Sequence, residues 1–291
     1  MIKLLAPAKI NLTLEVLAER SDGFHEILSV IQTINLCDSF SFQTGKEIVI
    51  RCDNKAWHAE QSLVTRVVAL LKRETGYSGG ALIEISKKIP LSSGLGGDSS
   101  DAAAVLKGLN QLWDLNISQR GLVERASRLG SDIPFFLFGG TALLRGRGEI
   151  VSPLPPMEKV WLVLLVPPMK RLKDKTAQQY KNLNADNYTD GRLTEELVVL
   201  LTRNEQISRD NLYNVFENFA CDSFKGLDEY YQKFLQAGSR SIHLAGSGPV
   251  LLTVVKKRAQ AHKIYTALKM QGLEAYLVET LEGIKPLNNA S

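Results

Sequence analysis

Residues 90–106 read PLSSGLGGDSSDAAAVL, a run of small residues that passes directly into an apolar, alanine-rich segment. The preceding residues, 81–90, have the pattern of a strand, and the residues from Ser99 onward have the spacing of a helix. A glycine-rich connection lets the backbone approach a ligand, and the free N–H groups of the first helical turn favour an anion. The stretch therefore favours a phosphate site, with a ligand-free, serine-capped turn as the alternative.

This glycine loop does not match the common nucleotide-binding motifs. It is not a Walker A sequence, because no Gly-Lys-Ser or Gly-Lys-Thr occurs in the chain, and it lacks the GxGxxG spacing of a dinucleotide fold. No HRD or DFG triplet indicates a protein kinase. Asp98 places a carboxylate inside the loop, where it would repel a bare triphosphate unless it lies beside Mg²⁺ or points outward. Any phosphate here must be bound in another architecture.

The composition predicts a cytoplasmic globular protein. The 291 residues are 44% hydrophobic and 23% charged, which suits one large domain or two medium ones. The net charge of +4 is dispersed apart from a basic cluster at residues 169–175, so we expect no nucleic-acid partner. The three cysteines lie far apart without a CxxC pair, which argues against a disulfide framework or a zinc site. No apolar run suits a signal peptide or a membrane span, so we expect no membrane partner.

Strand-like and helix-like segments follow one another in mixed order, which predicts an α+β fold. Three prolines in SPLPPMEK, residues 152–159, indicate a boundary, so we expect domains at residues 1–155 and 156–291.

Several local elements are expected within these domains. A hairpin is expected around Thr44–Gly45, and a helix with apolar residues from Leu63 is expected to stop at Gly76. Farther along, a helical stretch is expected over residues 211–236, and two strands are expected to meet at a glycine-rich turn within residues 241–255.

Two polar features lie outside the loop. Lys9 and Asn11 alternate along a predicted strand and therefore share one face, which suits either a polar cleft or plain solvent exposure. Asp132 precedes an apolar block, where it is either a helix N-cap or a carboxylate held at a cleft for proton transfer. A third glycine element, LAGSGPVLL at 244–252, is either a hairpin turn or another approach to a ligand.

Three of these pieces, taken in order, resemble the three motifs of the GHMP kinase superfamily. They are PAKINLTLEV (7–16), PLSSGLGGDSSDAAAVL (90–106) and LAGSGPVLL (244–252). Within the superfamily, four segments are similar to the 4-diphosphocytidyl-2-C-methyl-D-erythritol kinases: APAKINL (6–12), RSDGFHEI (20–27), GLGGDSSDAAAVL (94–106) and GSDIPFFL (130–137). DGFH and GSDIPFF distinguish this family from other GHMP kinases, because the glycine loop alone is typical of the whole superfamily.

The resemblance implies a two-domain GHMP kinase fold, with a ribosomal-protein-S5-like N-terminal domain, a ferredoxin-like C-terminal domain and the active site between them. It implies transfer of the ATP γ-phosphate, with Mg²⁺, to the 2-hydroxyl of a cytidine-diphosphate-methylerythritol substrate in non-mevalonate isoprenoid biosynthesis. We expect a monomer or a weak homodimer. The alternatives are another GHMP acceptor, of mevalonate or homoserine type, and a non-catalytic nucleotide- or RNA-binding module.

The resemblance also implies roles for individual residues. Asp132 matches the catalytic base, Lys9 the lysine that pairs with it, and Asn11 a substrate-positioning amide. The predicted ATP-phosphate loop consists of Pro90, Ser92, Ser93, Gly94, Leu95, Gly96, Gly97, Asp98, Ser99 and Ser100.

A second set of residues matches the substrate site. His25 matches the residue that recognises the cytosine edge, Phe24 a ring that stacks on the base, and Tyr180 the opposite ring. Gly246 and Ser247 of the third motif are also expected at the substrate.

Two departures from the family pattern affect the nucleotide side. Ser92–Ser93–Gly94 replaces the Gly-Ala-Gly run of many relatives, and Ser62 stands where relatives often have an Asn near the adenine.

Overall fold

The computed structural model describes residues 1–169 and 175–283, so most of the basic cluster at 169–175 lies outside the described residues. The strands are β1 Ile2–Asn11, β2 Thr13–Glu19, β3 His25–Gly45, β4 Ile48–Cys52, β5 Gly80–Ser86, β6 Thr141–Arg145, β7 Ile150–Pro153, β8 Trp161–Leu165, β9 Tyr213–Asn214, β10 His243–Leu244, β11 Leu251–Val255 and β12 Ala275–Glu279. The helices are α1 Leu63–Thr75, α2 Gly97–Leu112, α3 Gln119–Leu129, α4 Ile133–Phe138, α5 Lys175–Lys181, α6 Arg192–Thr202, α7 Ala220–Ser223, α8 Leu227–Gln236 and α9 Arg258–Met270.

The long strand β3 organises the first sheet. It pairs antiparallel with β1, β2, β5 and β6 along different parts of its length, and β4 joins the edge of β5. The β1 register shifts between Pro7 and Ala8, where a proline that cannot donate to the ladder is accommodated at an irregularity. Beyond this shift, Lys9 lies opposite Thr33 and Asn11 opposite Ile31.

Both faces of the C-terminal half of β1 are covered. Residues 6–11 are all buried, so the alternation of the sequence does not produce a solvent-exposed face here. Ala6 belongs to the core beneath α1–α4, whereas Ala8 and Ile10 belong to a core shared with the second sheet. Consequently β1 carries its polar side chains into the boundary between two layers.

Helix α2 packs directly on this sheet. Its small residues Ala102, Ala103 and Ala104 are buried, which allows the helix to approach β1 closely. Helices α1, α3 and α4 contact it from the sides. The glycine loop therefore leads into a buried, rigid helix.

The second sheet has the order β10-β11-β8-β12 and is antiparallel throughout, with α9 packed against it. Its first strand, β8, begins after the proline-rich segment. The short strand β9 instead pairs parallel with β2 of the first sheet. The division at residue 155 remains a prediction, and β9 links the two sheets across it.

Several local predictions are confirmed, and two are wrong. Helix α1 ends at Gly76, which has a left-handed φ of 67°, and β10 and β11 meet at the predicted glycine turn. The hairpin at Thr44–Gly45 is wrong, because β4 pairs in parallel with β5, which lies between it and β3. The continuous helix over 211–236 is also wrong, since Gly226, with a φ of 85°, begins a separate helix.

None of the helices in the described part of the chain is both long and apolar enough to cross a membrane.

Candidate active site

A cavity of about 770 Å³ lies between the glycine loop, β1, the turn before α4, and α5. A volume of this size is typical of small-molecule sites. Most of the predicted site residues line it: Lys9, Asn11, Phe24, His25, Pro90, Ser92, Ser93, Gly94, Gly96, Gly97, Asp98, Ser99, Asp132, Tyr180 and Ser247. Leu95 and Ser100 are buried and do not line the cavity, and Gly246 lies next to it.

Lys9 and Asn11 form the polar floor of the cavity. Lys9 Nζ donates a 2.7 Å hydrogen bond to Asn11 Oδ1, and Asn11 Nδ2 donates in turn to Ser29 Oγ at 2.8 Å. Lys9 and Asn11 are each only 7% exposed. Of the two sequence interpretations, the polar cleft is therefore right and plain solvent exposure is wrong.

Asp132 faces the same ammonium. Its Oδ2 lies 3.9 Å from Lys9 Nζ, and its side chain is 41% exposed. Although Asp132 occupies the N-cap position of α4, its side chain makes no capping hydrogen bond. The carboxylate is thus free of the capping role and faces the cavity, as a proton acceptor requires.

The electrostatics of Lys9 follow from its position. Burial lowers the pKa of the Lys9 ammonium, and the Asp132 carboxylate partly opposes this effect. The Lys9–Asp132 pair therefore combines a desolvated cation with an accessible anion.

The glycine loop is fixed against β1 by the backbone. Lys9 N donates to Leu95 O at 2.9 Å, and Gly96 has a φ of 74°. A Cβ added at Gly96 would lie 2.7 Å from Phe136 Cζ and 2.9 Å from Lys9 Cγ. Both the backbone conformation and the close approach require glycine at this position.

The third glycine motif meets the same residues from the second sheet. A Cβ at Gly246 would lie 3.3 Å from Asn11 Oδ1 and 3.4 Å from Lys9 Nζ. Asn214 Nδ2 donates to Gly246 O at 3.0 Å, which holds the turn in place. The three motifs, distant in sequence, thus converge around Lys9.

Asp98 points away from the phosphate loop's interior and toward α1. Its Oδ1 accepts a 2.8 Å hydrogen bond from Ser62 Oγ, and both carboxylate oxygens lie 3.3 Å from the N–H of Leu63. A carboxylate at a helix N-terminus is stabilised by the free N–H groups and the helix dipole. The sequence allowed the Asp98 carboxylate either to lie beside Mg²⁺ or to point outward, and the structure favours the outward orientation.

Aromatic rings form the opposite end of the cavity. The His25 ring centroid lies 5.3 Å from that of Tyr180 and 6.1 Å from that of Tyr188. Phe24 is 48% exposed, and the Arg147 guanidinium lies 4.8 Å from its ring centroid. Burial, together with Asp132, raises the pKa of the Tyr180 phenol, so this ring is neutral. A flat heterocycle would find stacking partners and a hydrogen-bonding imidazole here.

Sequence reasoning missed several cavity residues. Arg147 lies between two glycines in RGRGE, a signal that was available, but its position over Phe24 depends on tertiary packing. Trp57, His58 and Gln61 line the cavity near Ser62, in a segment without a recognisable motif. Thr176 of α5 contacts Ser247 through their hydroxyl oxygens, 3.0 Å apart, and so joins α5 to the third glycine motif.

The described residues contain no cluster of three or more His, Cys, Asp or Glu side chains suited to a metal. Kinases commonly bind Mg²⁺ through the nucleotide phosphates and only one or two protein groups. The cavity lining is compatible with that mode, because Ser99, a residue with a hydroxyl oxygen, is part of it.

Comparison with known proteins identifies the family of the chain. Residues 62–140 match the family described as GHMP kinases N terminal domain. A curated relative from Dehalococcoides mccartyi, named 4-diphosphocytidyl-2-C-methyl-D-erythritol kinase, is 48% identical over 97% of this chain and 99% of its own length. A crystal structure of a 4-(cytidine 5'-diphospho)-2C-methyl-D-erythritol kinase is 29% identical, covers 96% of this chain and 99% of its own, and has a TM-score of 0.81. The homoserine kinase from Cytophaga hutchinsonii shares the fold, with 20% identity, a TM-score of 0.71 and coverage of 97% and 95%.

The two-sheet α+β fold and the three converging glycine and lysine motifs define a GHMP kinase, a class that uses ATP as its phosphate donor. Because the similarity extends over nearly the full length of the curated relatives, the chain belongs to the family of 4-diphosphocytidyl-2-C-methyl-D-erythritol kinases.

Proposed function

We propose that this protein transfers the γ-phosphate of ATP to the 2-hydroxyl of 4-diphosphocytidyl-2-C-methyl-D-erythritol, in non-mevalonate isoprenoid precursor biosynthesis. One observation carries the proposal beyond family membership. The Lys9–Asp132 pair and the ring group of Phe24, His25 and Tyr180 line one cavity with the glycine loop. The cavity therefore combines a phosphate cradle, a proton acceptor and a pocket for a flat base.

The proposed chemistry assigns one task to each group. Asp132 accepts the proton of the acceptor hydroxyl while the oxygen of that hydroxyl forms a bond to the γ-phosphorus. At the same time, the bond between the γ-phosphorus and the bridging oxygen breaks, and ADP leaves with that oxygen. Lys9 holds Asn11 and Asp132 around the reacting hydroxyl and offsets negative charge at the γ-phosphoryl group. General-base assistance of this kind contributes about 10²–10⁴ in rate.

The glycine loop supplies the donor side. The N-terminus of α2 begins at Gly97, where its free N–H groups lie beside the cavity and favour a triphosphate. Mg²⁺, when bound, would neutralise phosphate charge, and Ser99 is the proposed protein contact to it.

His25 and its neighbours determine the acceptor in this proposal. The imidazole hydrogen-bonds the cytosine edge, and Phe24 and Tyr180 stack on its faces. Mevalonate and homoserine have no nucleobase, so these rings would contribute nothing to their binding. Action in the cytoplasm as a monomer or weak homodimer remains a prediction from the sequence.

A substrate panel tests the proposal. The purified protein is given ATP and Mg²⁺ with the cytidylylated methylerythritol, mevalonate or homoserine, and ADP release is measured. We expect turnover with the first acceptor alone. Equal turnover with either of the others would exclude the proposed acceptor, and ADP release in none of the three would exclude the kinase assignment.

A further inference from the structure

A buried ion triad lies directly beneath the glycine loop. Lys87 Nζ donates hydrogen bonds of 2.5 Å to Asp38 Oδ2 and 2.6 Å to Asp101 Oδ2. The three side chains are 0–1% exposed and come from three parts of the fold: β3, the segment after β5, and α2. The mechanism proposed above uses none of them.

The triad holds the loop at both of its ends. At the N-terminal end, Asp38 Oδ1 accepts hydrogen bonds from the N–H groups of Lys88 and Ile89, at 2.5 Å and 2.8 Å, immediately before Pro90. At the C-terminal end, Asp101 follows Ser100, the last residue of the predicted loop. Lys87 joins the two carboxylates, so the loop is tied to β3 from both sides.

The ammonium also lies close to the loop itself. A Cβ added at Gly97 would lie 3.7 Å from Lys87 Nζ and 3.1 Å from Ile89 Cγ2. Lys87 contributes to the lining of the cavity although its side chain is almost fully enclosed. Displacement of Lys87 would therefore change the position of the first N–H groups of α2.

The charge balance makes the triad sensitive to each member. Asp101 Oδ1 has no hydrogen-bond partner among the described residues, so this buried carboxylate depends on the Lys87 ammonium at its Oδ2 for compensation. The Lys87 ammonium loses hydration through burial, but its two carboxylate partners outweigh this and raise its pKa. Removing the cation alone would leave two desolvated carboxylates facing each other.

We propose that Lys87, Asp38 and Asp101 are positioning residues that hold the glycine loop in its phosphate-binding shape and thereby determine the affinity for ATP. This inference rests on the proposed function, in which the loop binds the ATP phosphates. In this proposal Lys87 does not contact the acceptor. The KM for the acceptor should therefore stay unchanged in variants that weaken ATP binding, and it serves as the reference in the test.

The test compares Lys87→Met with Lys88→Met, which removes the same charge from an exposed neighbour. ATP binding is measured by calorimetric titration, and the KM of each substrate by steady-state kinetics. We expect Lys87→Met to raise the Kd for ATP about tenfold or more, since one partner of a buried ion pair is removed. The acceptor KM should stay within about twofold, and Lys88→Met should bind ATP like the wild type.

A rescue variant separates loop positioning from general damage. In Lys87→Met/Asp101→Asn one uncompensated carboxylate is gone, so ATP affinity should partly recover. Should Lys87→Met fail to fold, Asp101→Asn takes its place, because the amide keeps the size and still accepts from Lys87. We expect this variant to weaken ATP binding several-fold, while the acceptor KM stays within about twofold.

The proposal is overturned if folded Lys87→Met, or its replacement Asp101→Asn, binds ATP with wild-type affinity. It is equally overturned if Lys88→Met weakens ATP binding as much as Lys87→Met does, or if ATP and acceptor KM rise in parallel. Failure of the proposed function has a different signature, namely wild-type protein that turns over none of the acceptors, and the ATP titration is still informative in that case.

Discussion

The carboxylate of Asp98 accepts a 2.8 Å hydrogen bond from the hydroxyl of Ser62, which is 36 residues earlier in the chain. Ser62 is the N-cap of α1, and its Oγ also accepts a hydrogen bond from the N–H of Val64. The first turn of the phosphate-loop helix is thus attached to the first turn of α1. Asp98, whose negative charge is unfavourable for phosphate binding, therefore has a structural role in the loop.

Replacing Asp98 with alanine should lower stability more than it lowers ATP affinity. Loss of the exposed carboxylate at the α1 N-terminus is expected to cost about 0.3–1 kcal/mol of unfolding free energy. Urea denaturation of Asp98→Ala beside Glu196→Ala, an exposed helical site, measures this difference. A variant with unchanged stability but altered Mg²⁺ dependence would instead place Asp98 at the metal.

Asp132→Asn should abolish most of the turnover while preserving binding of both substrates. The amide has the same shape but cannot accept the proton, so we expect kcat to fall about 10²–10⁴-fold. Stability should change little, because the side chain is 41% exposed and makes no capping bond. Steady-state kinetics of Asp132→Asn and of the exposed-site control Asp186→Asn decide the matter. Undiminished kcat would remove Asp132 from the role of base.

Lys9→Arg should move the alkaline limb of the kcat–pH profile upward while reducing kcat. Burial lowers the pKa of Lys9, so the wild type loses this charge, and with it activity, at a lower pH than an ordinary lysine would. Arginine stays charged throughout the accessible range. A profile with the same alkaline limb in both proteins would show that another group titrates there.

His25→Ala should raise the KM for the cytidylyl substrate about tenfold or more, since a hydrogen bond to the base is lost. The KM for ATP should not change, because His25 lies at the aromatic end of the cavity beside Tyr180. His262→Ala, at an exposed position on α9, is the matched control. A selective loss of ATP affinity would reverse our placement of the two substrates.

Lys107 should make stability depend on alkaline pH. Its ammonium donates a 3.1 Å hydrogen bond to Phe136 O, and burial lowers the pKa of Lys107 to about 8 from 10.5. The folded state therefore binds this proton less tightly than the unfolded state does. The resulting penalty is complete below pH 8 and disappears as the pH rises from about 8 toward 10.5.

Relative to Lys107→Met, the wild type should thus gain unfolding free energy between about pH 8 and pH 10. Urea denaturation of both proteins at several pH values measures this gain, with Lys263→Met as the exposed control. A difference between the wild type and Lys107→Met that does not vary with pH would contradict the expected titration.

Much of the site was predictable because its signals are local. The glycines of the loop, the alternation of Lys9 with Asn11 and the segment around Asp132 each depend on a few neighbouring residues. The structure places the loop glycines, Lys9, Asn11 and Asp132 on one cavity. The hairpin at Thr44–Gly45 was wrong for the complementary reason, because strand pairing depends on partners such as β5 that lie far along the chain.

The sequence by itself determined the motifs and the helix that follows the glycine loop, since backbone preferences and apolar periodicity are properties of contiguous residues. The resemblance of those motifs to known ones indicated the GHMP kinase class. Only the tertiary structure decided which distant groups meet. The Asp98 carboxylate of α2 meets the first N–H of α1, and the Arg147 guanidinium lies over the Phe24 ring. Lys87 joins Asp38 to Asp101. The physical reason is that a charged side chain interacts with whichever partner the packed sheets and helices bring close to it, and the spacing of residues along the chain does not encode that choice.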